Sequence, residues 1–131
     1  MLSADVVIVG SGSAGAVLAG MLASRTRRKV LLLEAGGRDW NPAFRIPLMT
    51  GLLLRGRYAN WSYRTEPEPG LGGRRLNWPR GKVIGGSSAI NGMVWTRGFP
   101  ADYDSWAQAG LTGWDWDSVL ATYRSLESHW G

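Results

Sequence analysis

Residues 5–36 read DVVIVGSGSAGAVLAGMLASRTRRKVLLLEAG, and the order of their parts decides the fold. An apolar run, Val6-Val7-Ile8-Val9, leads into Gly10-Ser11-Gly12-Ser13-Ala14-Gly15. A helical stretch follows, and a second apolar run, Val30-Leu31-Leu32-Leu33, stops on Glu34. Strand, glycine turn, helix, strand and acid within about 30 residues is the pattern of a dinucleotide-binding β-α-β unit. Gly10 permits the tight turn, Gly12 presents no side chain to a pyrophosphate, and Gly15 lets the helix pack close to the strands. The helix N-terminus offers unpaired N–H groups and a partial positive charge to phosphates. Glu34 is placed to accept hydrogen bonds from both hydroxyls of an adenosine ribose. Its charge repels a 2′-phosphate, so NADP is disfavoured. Glycines mark any turn; the flanking strands and the acid give the motif its meaning. Nothing in this unit separates NAD from FAD.

Working outward, the helix is expected from Ala14 to Arg25, with Ala14, Val17, Leu18, Met21 and Leu22 on one buried face. The runs 6–9 and 30–33 are apolar at every position, which implies burial on both faces of a parallel sheet. Residues 35–44, AGGRDWNPAF, read as loop, and Pro47 opens a short helix through Leu54. Trp61, Tyr63 and Thr65 alternate as in a strand. PEPGLGG at 67–73 is a turn, and Leu76-Asn77-Trp78 is placed to pair back as a hairpin. In a second glycine-rich segment, GKVIGGSSAINGMVWTRG at 81–98, Ser87 or Ser88 is the expected N-cap of a short helix. Pro100 or Asp102 opens a helix that ends by Gly110. Asp115 caps a last amphipathic helix with Trp116, Val119, Leu120, Tyr123, Leu126 and Trp130 on its core-facing stripe.

At 131 residues the chain suits one ordinary domain. Its net charge of +5 is scattered. The densest basic cluster, Arg25, Arg27, Arg28 and Lys29, closes the first helix, where cations favour the negative end of the dipole. That is a solvated helix end, and no nucleic-acid partner is expected. The sequence has no cysteine, which excludes disulfides, thiolate metal sites and cysteine nucleophiles and suits a reducing cytoplasm. With the first strand reached by residue 5, no signal peptide is expected. No apolar run approaches the ~20 residues of a membrane span; residues 46–54 are interrupted by Pro47 and Gly51. A cytoplasmic protein without a membrane span is the expectation.

In the second glycine segment, Gly85 and Gly86 are surrounded by Val83, Ile84, Ile90, Met93, Val94 and Trp95, which argues for burial. Buried glycines mean close approach of another backbone or of a flat ligand. Asn91, amid apolar neighbours, needs hydrogen-bond partners if buried. A cofactor heteroatom or a loop carbonyl would each serve.

The run Gly81-Lys82-Val83-Ile84-Gly85-Gly86-Ser87-Ser88-Ala89-Ile90-Asn91, followed by Trp95, Gly98 and Asp104, resembles the first signature of the glucose-methanol-choline (GMC) oxidoreductases. The opening IVGSGSAGAVLAGMLAS and VLLLEAG are similar to the FAD-binding N-terminus of that family. Asn60-Trp61-Ser62-Tyr63-Arg64-Thr65-Glu66-Pro67 and Asp102-Tyr103-Asp104-Ser105-Trp106 fit as well, and the likeness is closest to choline dehydrogenase-like bacterial members. The resemblance implies an FAD enzyme that oxidises an alcohol by hydride transfer to flavin N5. It implies that Ser11, Gly12 and Ala14 hold the pyrophosphate and Glu34 the ribose. Val83, Gly86 and Ser87 would line the pyrophosphate and flavin side, and Asn91, Gly92, Met93 and Val94 the isoalloxazine. Gly10, Ser13, Gly15, Ala35 and Gly85 complete the cofactor-binding set. Some relatives tether their flavin through a histidine in the segment that here reads Ala89-Ile90-Asn91. Ile90 forms no such bond, so FAD is expected to be non-covalent.

Alcohol oxidation needs a base with a pKa near working pH, usually histidine. The single histidine, His129, sits at an exposed-looking helix terminus and is read as a surface residue. The family's catalytic histidine and its partner lie near the C-terminus of a much longer chain, so no catalytic residue is assigned. The fold class is α/β: a partial Rossmann-like FAD-binding domain with an incomplete sheet. Residues 1–131 are read as the N-terminal portion of that domain, with its remainder and the substrate domain absent. A two-stranded parallel sheet with apolar faces is not independently stable. The chain alone is expected neither to fold fully nor to turn over an alcohol substrate. A non-enzymatic nucleotide-binding module and a non-functional remnant are the competing readings.

Overall fold

The computed structural model describes residues 3–127. They fall into two units, one ending at Met93 and one beginning at Val94. His129 and Trp130, and with them the surface role and the end of the aromatic stripe, lie outside the described residues.

In the first unit, β1 (Val6–Val9) and β2 (Val30–Leu33) pair in parallel, Val6 opposite Val30 through Val9 opposite Leu33. Helix α1 (Ser13–Arg25) makes the crossover, as the apolar runs and the glycine turn predict. The expected buried face of α1 is not found: none of its residues is buried, and Val17, Leu18 and Met21 are 50%, 49% and 39% exposed. Gly15, Ala19 and Leu22 are its half-buried positions. The strands show the same pattern, with Ile8 buried while Val7 and Val9 are exposed. Apolar residues on both faces signal a sheet covered on both sides, and two strands with one helix cover only a strip of one side.

After β2 the chain turns through two short 3-10 turns, Pro42–Arg45 and Pro47–Met49, into α2 (Thr50–Arg55). The end of the stretch read as loop, residues 42–44, is therefore turned, with Asn41 capping it through Ala43 N–H. The predicted hairpin forms with shorter strands, β3 (Tyr63–Arg64) and β4 (Asn77–Trp78). Flanking backbone bonds from Thr65 to Leu76 and from Trp61 to Arg80 continue the ladder, at 2.9 and 2.8 Å.

Buried Asn60 joins α2 to this hairpin. Its amide donates to the carbonyls of Leu53, Leu54 and Gly56, and its Oδ1 accepts from Ser62 and Arg80 N–H. From Gly81 the chain runs back beside residue 37: Gly37 and Val83 form a parallel bridge, and Ile84 N–H donates to Gly37 at 2.9 Å. Ile8, Leu53, Val83 and Ile90 are the buried apolar residues of this unit among those described.

The second unit holds α3 (Pro100–Gln108) and α4 (Trp116–Leu126), both at the predicted places. Asp115 caps α4 by accepting Ser118 N–H at 3.0 Å. Tyr103 is the buried centre, with Trp106, Trp116 and Tyr123 around its ring and its hydroxyl donating to the Arg97 carbonyl. An ion pair joins Arg97 to Glu127.

Candidate functional site

The site grows from two backbones meeting. Gly10 leaves β1 with φ +93°, and α1 begins two residues after Ser11. A methyl group at Gly15 would lie inside the radius of the Gly10 carbonyl oxygen and 3.3 Å from Ile8. The helix therefore packs on the turn only because Gly15 has no side chain. Opposite stands Gly86, itself at φ +57°, where a Cβ would come within 2.9 Å of the Gly12 Cα. The amide of Gly85 donates to the Ser11 carbonyl at 3.1 Å. Of the two causes expected for buried glycines, the structure shows the first: Gly12 and Gly86 are backbone against backbone.

Glu34, the residue after β2, faces this junction. Its Oε2 accepts the amide and the hydroxyl of Ser11, each at 2.8 Å, and its Oε1 accepts the Gly36 amide at 2.8 Å. Burial pushes the Glu34 carboxyl up, but the donors of Ser11 and Gly36 outweigh it and hold the group below its ordinary value. At α1 the N-cap is Gly12, no side chain caps the helix, and the first turn carries no acid. The N–H groups of Ser13 and Ala14 thus have no intrahelical acceptor and keep their positive potential. Uncapped amides, glycine backbones that leave room beside them, and an ionised carboxylate one strand away fit a dinucleotide. The amides suit phosphate oxygens, and the carboxylate suits sugar hydroxyls.

The structure brings Gly10, Ser11, Gly12, Ser13, Ala14, Gly15, Glu34, Val83, Gly85 and Gly86 into this one region, with Ala35 following Glu34. Three expectations for the second glycine segment need correction. The 3-10 turn Gly86–Ala89 is capped by Gly85, not by a serine side chain. Ser87 instead accepts the Gly81 amide at 3.1 Å, and the Ser88 hydroxyl donates to the Gly85 carbonyl at 2.6 Å. Burial is confined to Val83, Gly86 and Ile90, while Ile84, Met93, Val94 and Trp95 are exposed. Asn91 is exposed too, and its Oδ1 takes the Met93 amide at 2.9 Å, closing a loop in which Met93 adopts φ +57°. Asn91 and Met93 line a cleft of about 70 Å³ with Phe44 and Leu53. Gly92 is exposed between them, and Val94 belongs to the second unit.

Sequence reasoning missed Asn60 as a structural centre and an open cavity of about 810 Å³ beside it, lined by Arg55, Arg57, Arg64, Lys82 and the Trp61 and Tyr63 rings. The spread of these cations over 28 positions hides the cluster in the sequence.

A family model described as GMC oxidoreductase matches residues 4–131. The chain belongs to the GMC oxidoreductases. Members of this family are FAD-dependent. An alcohol dehydrogenase [acceptor] of Pseudomonas putida is 48% identical over 123 residues, covering 94% of this chain and 22% of that protein. An oxygen-dependent choline dehydrogenase of Rhizobium etli (strain CIAT 652) is 46% identical over 131 residues, covering 99% of this chain and 24% of that protein. The crystal structure of pyridoxine 4-oxidase from Mesorbium loti superposes with a TM-score of 0.84 at 42% identity, over 92% of this chain and 24% of that one. The chain thus spans about a quarter of the length of the GMC relatives it matches. Among the described residues, no helix is long and apolar enough to cross a membrane.

Proposed function

We propose that this chain supplies the nucleotide-holding part of an FAD-dependent oxidoreductase that acts on the CH–OH group of a small alcohol, as part of an N-terminal FAD-binding domain. The observation that carries this reading is the convergence of the two glycine segments, Gly12 against Gly86, beside the uncapped start of α1 and the clamped Glu34. Ser13 and Ala14 would bind the pyrophosphate through backbone N–H, with Gly12 leaving room beside them. Glu34 would orient the adenosine ribose. Val83, Gly85, Gly86 and Ser87 would line the turn toward the flavin, and Asn91, Gly92 and Met93 its ring. Bound there, FAD supplies a hydride acceptor at N5. The described residues of this chain bind and orient; none is given the role of catalytic base.

FAD is held here without a covalent bond. Ile90, in the segment through which some relatives tether the flavin, carries a buried hydrocarbon side chain with no nucleophilic atom. The lack of cysteine supports a cytoplasmic location, and the scattered charge supports small-molecule rather than nucleic-acid partners.

The test is titration of the purified protein in its full length, freed of flavin, with FAD and, separately, NAD, followed by flavin fluorescence and calorimetry. One FAD per chain, with NAD failing to compete, is the expected result. Absence of FAD binding, or preference for NAD, overturns the reading. Acid precipitation of the complex should leave the flavin in the supernatant; flavin in the pellet contradicts non-covalent binding.

A further inference from the structure

Ser11 and Asn60 are the buried polar residues among those described. Asn60 is satisfied within the scaffold, whereas Ser11 lies at the nucleotide site, so what Ser11 can offer a ligand is decided by its hydrogen bonds. Both of its donors are committed: the amide N–H and the hydroxyl each donate to Glu34 Oε2 at 2.8 Å. A serine hydroxyl carries a single hydrogen. Pointed at Glu34, it has none for a phosphate. On the acceptor side, the Ser11 carbonyl and Oγ share the Gly85 amide, at 3.1 and 3.4 Å. Ser11 therefore faces protein groups on both sides, the acid that follows β2 and the second glycine segment. Gly36 clamps the other carboxylate oxygen at 2.8 Å. A carboxylate gripped by three donors cannot rotate without breaking charge-assisted bonds, so its remaining lone pairs point in a fixed direction.

We propose that Ser11 is a positioning residue for the adenosine ribose, not a ligand of the pyrophosphate. Its amide and hydroxyl fix the Glu34 carboxylate in the orientation that receives a ribose hydroxyl, and its carbonyl and Oγ couple that carboxylate to the Gly85 turn. The ligand feature it serves is a sugar diol. The pyrophosphate is left to the amides of Ser13 and Ala14, which have no intrahelical acceptor. This assignment rests on the nucleotide reading above and replaces the direct phosphate contact that the family resemblance implies for Ser11.

The experiment compares ADP with 2′,3′-dideoxy-ADP, which keeps the pyrophosphate and lacks both ribose hydroxyls. Calorimetry measures each on the purified protein in its full length, freed of flavin, as wild type, Ser11→Ala and Ser11→Thr, with circular dichroism confirming that each is folded. Wild type should prefer ADP. Ser11→Ala should cut that preference about ten-fold by weakening ADP alone, the scale of one lost hydrogen bond to a charged group. Ser11→Thr, which keeps the hydroxyl, should restore the preference. Should Ser11→Ala not fold, Ser11→Cys, of similar size and with a weak donor, is read in the same assay. Equal weakening of both ligands overturns the proposal and leaves the nucleotide reading standing. A wild-type protein that binds neither ligand overturns the nucleotide reading, and this assignment with it.

Discussion

Glu34 carries the charge that holds Ser11, the residue whose carbonyl takes the Gly85 amide. Its burial favours the neutral acid, and the donors of Ser11 and Gly36 favour the carboxylate by more, so folding lowers its pKa. The sign of the pH dependence follows from linkage: the folded state holds this proton less tightly than the unfolded chain. The stabilisation is complete above the ordinary carboxylate pKa and is lost as pH falls through the lowered value. Urea midpoints of the protein should therefore decline from about pH 5 to pH 3. Glu34→Gln should flatten that decline; an unchanged slope in the variant would remove Glu34 from the account. Gly15 is a second residue with little latitude. Gly15→Ala drives a methyl into the Gly10 carbonyl and against the Ile8 side chain, and the carbonyl, being backbone, cannot yield. The expected cost is about 3 kcal/mol, at the upper end for overpacking, read as a lowered Tm with loss of nucleotide binding.

Among the elements, the ones visible in the sequence are those whose signals are local. β1, α1 and β2 follow from two apolar runs around a glycine turn, and α4 follows from Asp115 three residues ahead of Ser118, whose amide it caps. That residues 83–86 meet the Gly10 turn follows from the resemblance, which sets Val83, Gly86 and Ser87 on the same pyrophosphate as Ser11 and Gly12, but the contacts that make this docking were not legible. It is made by backbone groups about 70 positions apart, and backbone groups carry no sequence signature beyond a tolerance for glycine. Asn91 shows the opposite failure, because apolar neighbours in sequence suggest burial while the loop in fact turns Ile84, Met93 and Val94 outward. Asn60 shows why a polar residue can organise an element without any pattern. It satisfies three carbonyls at the end of α2 and two amides of the hairpin, and it does so between Ala59 and Ser62, both at positive φ, 55° and 53°. Replacing it leaves buried groups unpaired on both sides. Asn60→Ala should cost about 3 kcal/mol, and Asn60→Asp nearly as much, because its three carbonyl contacts need an N–H donor. Denaturant unfolding measures both. Loss below about 0.5 kcal/mol, the range of an ordinary surface substitution, would show that α2 and the hairpin are held together by other contacts.

At the scale of the molecule, the β-α-β unit carries more apolar surface than its own elements cover. Val9 is 83% exposed, Val7 54% and Leu33 46%, alongside the outward residues of α1. Parallel strands of this composition belong to sheets covered on both faces, and this sheet has two strands. Contiguous exposed apolar surface of this kind binds hydrophobic probes and drives association. A polypeptide of these 131 residues should accordingly enhance the fluorescence of the dye ANS and associate with rising concentration in sedimentation velocity. FAD should act against unfolding but not against this exposure. A ligand bound only by the folded state at one hundred times its Kd adds about 2.7 kcal/mol, so Tm should rise with FAD concentration. A nucleotide held at Gly12, Gly86 and Glu34 would leave the faces of β1 and β2 uncovered, so the ANS signal should persist in the complex. A saturating amount of FAD that abolished ANS binding would place the nucleotide over β1 and β2 and contradict the site built on Gly12, Gly86 and Glu34. A chain that stayed monomeric and dark with ANS would mean that the apolar faces of β1, β2 and α1 close on one another in solution.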